Sequence, residues 1–218
     1  MVVHQSDEGL MLDYASGALG EELSLAMATH LSLSMRQAQQ YQTLNAIGGS
    51  MLDDIDCDSA DDDDIGLESV LARLDYEPVT GKPVSFNRVT SDVIPAPLRD
   101  YIPADIDALK WRKVGPGVEE YRIKTANKAA KTSLLRIEPG RAMPEHTHSG
   151  REITVVLKGS YADGVETFAR GDMQIADASD NHQPLADHEE GCICLIVLDA
   201  PVKLTGRVGR LLNPFVKF

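Results

Sequence analysis

The chain has 218 residues and a net charge of −13, with 43% hydrophobic and 5% aromatic residues. Its length allows one large domain or two small ones, and its apolar fraction is enough for a buried core. We expect no secretory signal and no transmembrane segment, because the N-terminus lacks a basic region before an apolar run and no apolar stretch is long enough. Three cysteines form no disulfide framework, so the cytoplasm is the expected compartment.

The charge is unevenly distributed. Residues 1–80 contain sixteen acidic and two basic residues, a net charge of −14, whereas the remainder has a net charge of +1. This asymmetry indicates two separate units. Nucleic acid is excluded as a direct partner of the first unit, because phosphates would be repelled, and a basic protein surface is its natural complement.

The first unit has the apolar periodicity of short helices. We predict helices over 6–17, from about 21 to 31, from about 34 to 51 and over 66–74. The first three form a small all-α bundle that can barely stabilise itself and that leaves an apolar face for another molecule. Eight aspartates within 53–64 cannot pack, so this segment is predicted to be a solvated acidic loop.

A proline-rich segment, 77–97, separates the helices from the second unit and is predicted to be an extended linker. Beyond it the pattern changes to short strands divided by Gly and Asp turns, which favours an all-β barrel. The predicted strands are 111–114, 118–123, 133–137, 153–157, 165–168, 172–175, 183–186, 193–198 and 202–204. The domain prediction is therefore a helical domain over 1–76, a linker over 77–97 and a β-domain over 98–218.

A candidate metal site lies at the centre of the β-domain. His146 and His148 are two apart, so both imidazoles leave the same face of an extended strand. Glu152 opens the next apolar run and lies near the start of the next antiparallel strand. Two neutral imidazoles and a carboxylate that converge suit a divalent transition metal. The alternative is a pair of solvated histidines beside an unrelated glutamate.

Glycines bracket this set, with Gly140 before the first histidine and Gly159 after the glutamate. The spacing Gly-x5-His-x-His-x3-Glu-x6-Gly resembles the first cupin motif. The resemblance implies a second motif about one hairpin later with a further histidine, and His182 stands in that place. It implies a C-terminal cupin, a double-stranded β-helix or jelly-roll barrel, that holds a metal through His146, His148, Glu152 and His182.

Residues 15–49, which include Ala-Met-Ala-Thr-His-Leu-Ser-Leu-Ser at 26–34, are similar to the ChrR family. These bacterial anti-sigma factors join an N-terminal zinc-binding anti-sigma domain to a cupin, and the order of units, the linker and the cupin spacing here agree with them. The family signature is an early His, then His-x3-Cys-x2-Cys. His4 and His30 match its histidines, but Ser34 and Gln37 replace the two cysteines.

The loss of two thiolates removes most of the charge neutralisation of such a zinc site. We therefore expect no zinc in the N-terminal domain, which apolar packing and hydrogen bonding among His30, Ser34 and Gln37 would hold together instead. The resemblance implies an anti-sigma factor, not an enzyme, that sequesters an ECF-type sigma factor through residues 1–76 and senses oxidative stress of the singlet-oxygen type through its cupin. It favours zinc as the cupin metal, although the donors also accept Fe, Mn or Ni.

Two alternatives stay open at this point. Three histidines and one glutamate leave coordination positions free, which suits a metal-dependent cupin enzyme of the dioxygenase or oxidase type. Its acid–base groups would come from Asp163, Asp187, His188 and Glu189. The helices could instead serve as an accessory arm of a homodimer. Cys192 and Cys194 share one face of a predicted strand and are expected in the core.

Overall fold

The computed structural model describes residues 8–55, 66–74, 85–126 and 130–205. All four predicted helices have counterparts in it. The helices are α1 (Glu8–Ala15), α2 (Glu21–Leu33), α3 (Met35–Asp53), α4 (Leu67–Leu74) and α5 (Arg88–Val93), and two short 3-10 helices follow at Ala96–Tyr101 and Ile106–Ala108. Within these ranges, none of the helices has both the length and the apolar character that a membrane span requires. His4 and most of the acidic loop lie outside the described residues.

Helices α2 and α3 are separated by a single extended residue. The N–H of Ser34 donates to the His30 carbonyl at 3.0 Å, which closes α2, and the Ser34 carbonyl accepts from the N–H of Ala38 at 3.0 Å, which opens α3. Glu21 and Glu22 lie in the first turn of α2, where carboxylates favour the positive helix end. The sharp break allows α3 to fold back on α2 and α1.

The second half of the chain forms a β-sandwich. Its strands are β1 (Arg112–Gly115), β2 (Val118–Arg122), β3 (Lys131–Ile137), β4 (His146–His148), β5 (Glu152–Ala162), β6 (Thr167–Ala169), β7 (Met173–Ala176), β8 (Leu185–Ala186), β9 (Cys192–Leu198) and β10 (Val202–Leu204). The main sheet runs β1-β2-β3-β9-β5-β6, and β7 and β8 also pair with β5. A small sheet joins β4 to β10. The eleven-residue β5 is therefore the strand around which the others are arranged.

Helices α1, α2 and α3 share one core with the sheet, whereas the sequence predicted a separate helical bundle. Leu25, Ala26 and Met27 of α2 belong to one buried cluster with Leu157 of β5 and Leu195 of β9. Three short helices bury too little apolar surface among themselves, so α2 uses the outer face of the sheet as the second half of its core. Polar contacts add to this interface, since Thr125 donates to Glu22 at 2.8 Å.

The predicted extended linker contains helix α5. The side chain of Asn87 caps it by accepting from the N–H of Thr90 at 2.8 Å. Val93 and Ile94 are buried, so this segment packs into the shared core rather than spanning open solvent. The prolines after α5 stop the helix and start the first 3-10 turn, which matches their inability to donate a backbone hydrogen bond. The part of the linker before residue 85 lies outside the described residues.

Gly159 marks a point where two chain segments touch. Its φ is +68°, a conformation that favours glycine. A side chain at this position would run into the carbonyl oxygen of Gly191. The close approach lets β9 begin against the bend in β5, where Gly159 pairs with Cys192. The glycine therefore sets the register of β5 and β9, the pair of strands on which α2 packs.

Candidate metal centre

Four predicted ligands come together inside the sandwich. His146 and His148 are the first and last residues of β4, so their side chains leave the same face. Glu152 is the first residue of β5, and His182 is joined to His146 by two backbone hydrogen bonds of 3.0 Å. All four side chains are buried, and one potential ligand atom from each lies within 4.8 Å of the others.

The three imidazoles direct Nε2 to a common point. The Nε2 of His182 lies 3.1 Å from the Nε2 of His146 and 3.1 Å from that of His148. Two nitrogens that each lie about 2.0–2.1 Å from one zinc ion are about 2.8–3.4 Å apart for bond angles between 90° and tetrahedral. The observed separations fall in this interval, so the imidazole nitrogens are spaced as ligands of a single ion.

Neighbouring groups orient these ligands. The Nδ1 of His146 donates to the carbonyl of Pro144 at 2.7 Å, which leaves the Nε2 lone pair free for a metal. The hydroxyl of Thr154 donates to Glu152 at 3.2 Å. The Nδ1 of His148 lies 3.7 Å from a Glu152 oxygen and has no hydrogen-bond partner among the described residues. A buried polar set left this incomplete is typical of a site organised around a cation.

Burial determines the protonation of the four groups. It lowers the pKa of His146 to about 4, against the hydrogen bond to Pro144, and it also lowers the pKa of His148 and His182. The imidazoles are therefore neutral, as metal ligands must be. Burial raises the pKa of Glu152 to about 7, although the hydrogen bond from Thr154 opposes this. A bound divalent ion would reverse this effect and hold the carboxylate ionised.

The acid–base groups considered for an enzyme lie in turns instead. Asp163 accepts from the N–H groups of Val165 and Glu166, both at 2.9 Å. Asp187 accepts in the same way from Glu189 and Glu190. Each carboxylate closes its own loop, a role that explains it without catalysis. Cys192 and Cys194 are buried, as expected of core residues.

Sequence comparison identifies the family. A family model described as the ChrR cupin-like domain matches residues 100–201. The anti-sigma-E factor ChrR of Cereibacter sphaeroides is 35% identical over 214 residues, which cover 98% of both chains. The chain belongs to the ChrR family of anti-sigma factors. This membership separates it from the cupin enzymes that were the alternative.

Structural comparison agrees with the ChrR assignment. The anti-sigma factor ChrR in the crystal structure of the Rhodobacter sphaeroides SigE–ChrR complex superposes with a TM-score of 0.76 at 34% identity, covering 91% of this chain and all of that one. An RmlC-like cupin protein from Ralstonia eutropha reaches a TM-score of 0.42 at 21% identity over 48% of this chain and 72% of that one. A TM-score of 0.42 supports no conclusion about function.

The chain departs from the ChrR signature on α2 and α3. Here the Nδ1 of His30 donates to the carbonyl of Gly171 at 2.8 Å, a contact with the turn before β7 that sequence spacing could not reveal. Gln37 is buried and Ser34 forms the break between the two helices. Among the described residues no second cluster of three metal-binding side chains exists besides the cupin quartet.

Proposed function

We propose that this chain is a cytoplasmic anti-sigma factor that binds an ECF-type sigma factor through the helical region 1–76. We also propose that its cupin is a metal-dependent sensor of oxidative stress, of the singlet-oxygen type. The observation that carries the first part is the similarity, over 91% of the chain, to an anti-sigma factor whose crystal structure contains its sigma factor. That coverage includes both the helices and the sandwich, so the whole architecture supports the proposal.

Helix α3 has the surface that such a partner requires. Gln37 is its one buried side chain, and Ile47 and Met51 are 54% and 67% exposed one turn apart. Leu52 beside them is 68% exposed. A contiguous exposed apolar patch is typical of a protein-binding site. The net charge of −14 over residues 1–80 complements the basic surfaces with which sigma factors contact DNA and polymerase.

A charge introduced into this patch tests the sigma-binding part. Met51→Glu removes an apolar contact worth about 1.5–3 kcal/mol and buries a carboxylate, so we expect binding about tenfold or more weaker. Gln42→Glu places the same charge at an exposed position on the opposite side of α3 from Ile47 and Met51 and should bind normally. The measurement is titration calorimetry with a sigma factor that co-purifies with the tagged chain from its own cell. Equal affinities for both variants would contradict this docking surface.

The metal part of the proposal rests on the cupin quartet, His146, His148, Glu152 and His182. Three neutral imidazoles and one carboxylate accept zinc, with Fe, Mn or Ni as the other candidates. When bound, the ion would supply positive charge and hold β4, β5 and the segment at His182 in one arrangement. Pro144 orients His146 for this role, and Thr154 orients Glu152. The N-terminal region is proposed to lack zinc, since Ser34 and Gln37 replace the two cysteines that would supply its thiolates.

The sandwich offers a short route from this quartet to the helices. Glu152 pairs with Ala176 of β7, and β7 leads back to Gly171, which His30 of α2 contacts. Helix α2 also packs directly on β5 and β9. Oxidation of a ligand would shift β5 and β7 and thereby loosen α2. If the purified chain binds its sigma factor equally well before and after photo-oxidation, the sensor proposal is wrong while the binding proposal stands.

A further inference from the structure

The sandwich contains a cavity of about 610 Å³ beside the proposed metal centre. This volume is within the roughly 300–1,000 Å³ of typical small-molecule sites. Pro116, Arg141 and Ala142 line it and are exposed, so the cavity opens to solvent at these loops. Sigma binding needs no such cavity, because the apolar patch on α3 lies outside the sandwich.

The floor of the cavity is one face of the main sheet. Glu152, Leu198 and Lys131 pair directly across β5, β9 and β3, and all three line the cavity. Two strand spacings, about 10 Å, therefore separate Glu152 from Lys131. Side chains in the same row face the same way, which makes Leu198 the apolar centre between two polar ends.

The next row of paired residues has the same arrangement, with an apolar residue of β9 between polar residues of β5 and β3. Thr154, Ile196 and Ser133 pair across the same three strands and also line the cavity. On the far side, Glu120 is buried and accepts from Ser133 at 3.0 Å, and it is paired with Lys131 and Arg112. This far end already has a satisfied carboxylate. The near end, at His146 and Glu152, is where a further oxygen ligand would be accommodated.

We propose that this cavity binds a small amphipathic carboxylate, with its oxygens at His146 and Glu152 and its apolar chain along Leu198 and Ile196. The inference rests on the proposed metal centre. Three neutral imidazoles and one carboxylate leave a divalent ion with net positive charge and open positions, which favours an anionic oxygen group. The middle of the floor offers only apolar surface to the remainder of the ligand.

The chain length of the ligand should determine its affinity. Each buried methylene contributes about 0.8 kcal/mol, which corresponds to about a fourfold change in the dissociation constant. Butanoate, hexanoate and octanoate should therefore bind with affinities that rise about 15-fold at each step of two methylenes. 1-Octanol has the same chain without the charge and should bind about tenfold or more weakly than octanoate.

Titration calorimetry of these four probes against the full-length zinc-loaded chain tests the inference. Ile196→Phe fills the middle of the floor, and Ala142→Trp blocks the exposed rim without changing the core. Both should weaken octanoate binding about tenfold or more, whereas Val165→Trp, at a site 90% exposed outside the cavity, should leave it unchanged. Circular dichroism confirms that each variant is folded.

Metal content is measured in every sample, so that a failure of the proposed metal centre can be distinguished from a failure of the carboxylate inference. Wild-type protein that carries no ion contradicts the proposed metal centre. A loaded centre that binds octanoate and octanol equally, or with an affinity independent of chain length, overturns the carboxylate inference. Unchanged octanoate affinity in both Ile196→Phe and Ala142→Trp overturns the location.

Discussion

Replacement of His30 tests how α2 is attached to the sandwich. The side chain is fully buried, and its Nδ1 donates to the Gly171 carbonyl at 2.8 Å. Asparagine places an amide nitrogen near the position of Nδ1, so His30→Asn keeps the hydrogen bond and removes the titrating group. His30→Leu removes both. The pair separates the contribution of the hydrogen bond from that of the imidazole proton.

The size of the expected stability changes follows from the protonation of His30 and from its hydrogen bond. Burial lowers its pKa in the folded state, although the Gly171 hydrogen bond and Asp172 oppose this. Below the unfolded value of about 6.5 the unfolded chain therefore binds a proton that the folded chain does not, and stability falls with acidification. One such group contributes at most about 1.4 kcal/mol per pH unit. In His30→Leu the Gly171 carbonyl loses its donor, which costs about 1–3 kcal/mol at any pH.

Urea unfolding at pH 7.5, 6.5 and 5.5 measures both effects. The other histidines and Glu152 contribute equally to all three proteins, so they cancel in the comparison. We expect wild type to lose stability more steeply than either variant below pH 6.5, and His30→Leu to be less stable than His30→Asn at pH 7.5. Identical pH slopes in the three proteins would show that His30 is not buried in neutral form, and equal stabilities of His30→Leu and His30→Asn at pH 7.5 would refute the hydrogen-bonded attachment described here.

Two further predictions concern the sandwich. Gly159→Ala should destabilise the fold by about 2 kcal/mol or more in thermal melts, because it strains a φ of +68° and forces Cβ against the Gly191 carbonyl. Gly164→Ala is the control, since its φ is +95° but nothing lies near its Cβ, and it should destabilise the fold less. Equal losses of stability in the two variants would contradict the close approach of Gly159 and Gly191. Burial raises the pKa of Glu120, but hydrogen bonds from Lys131, Arg112 and Ser133 outweigh this effect and lower the pKa. The contribution of Glu120 to stability is therefore present above its unfolded pKa and is lost as the pH falls through the lower folded pKa. Glu120→Gln should therefore lower the free energy of unfolding by about 3–5 kcal/mol at neutral pH in urea titrations. Glu119→Gln is the control, since the Glu119 side chain is 27% exposed beside Arg136, and it should lower the free energy of unfolding by less than about 1 kcal/mol. Comparable losses in the two variants would mean that Glu120 is solvated.

The grouping of His146, His148 and Glu152 could be predicted because its signal is local. His146, His148 and Glu152 lie within seven residues, and strand periodicity determines which side chains share a face. His182 came from the cupin spacing rather than from local chemistry, and the structure brings it within 3.1 Å of the other imidazoles. Short amphipathic helices were also predicted well, since apolar periodicity reports them directly.

Contacts between distant segments could not be predicted in this way. His30 and Gly171 are 141 residues apart, and nothing in the neighbourhood of either indicates the other. The same holds for the core that α2 shares with β5 and β9, which a periodicity count assigns to a separate bundle. Helix α5 was missed because the prolines around it suggested an extended chain, although Asn87 is a capping residue immediately before it.

The metal content of the purified chain tests the central claim most directly. Inductively coupled plasma mass spectrometry should find one divalent transition metal per full-length chain. The metal should be retained in His30→Asn and lost when His146 and His148 are both replaced by alanine, because neutral imidazoles supply three of the four donors. A chain without metal, or one whose metal survives loss of both histidines and disappears in His30→Asn, would contradict the account.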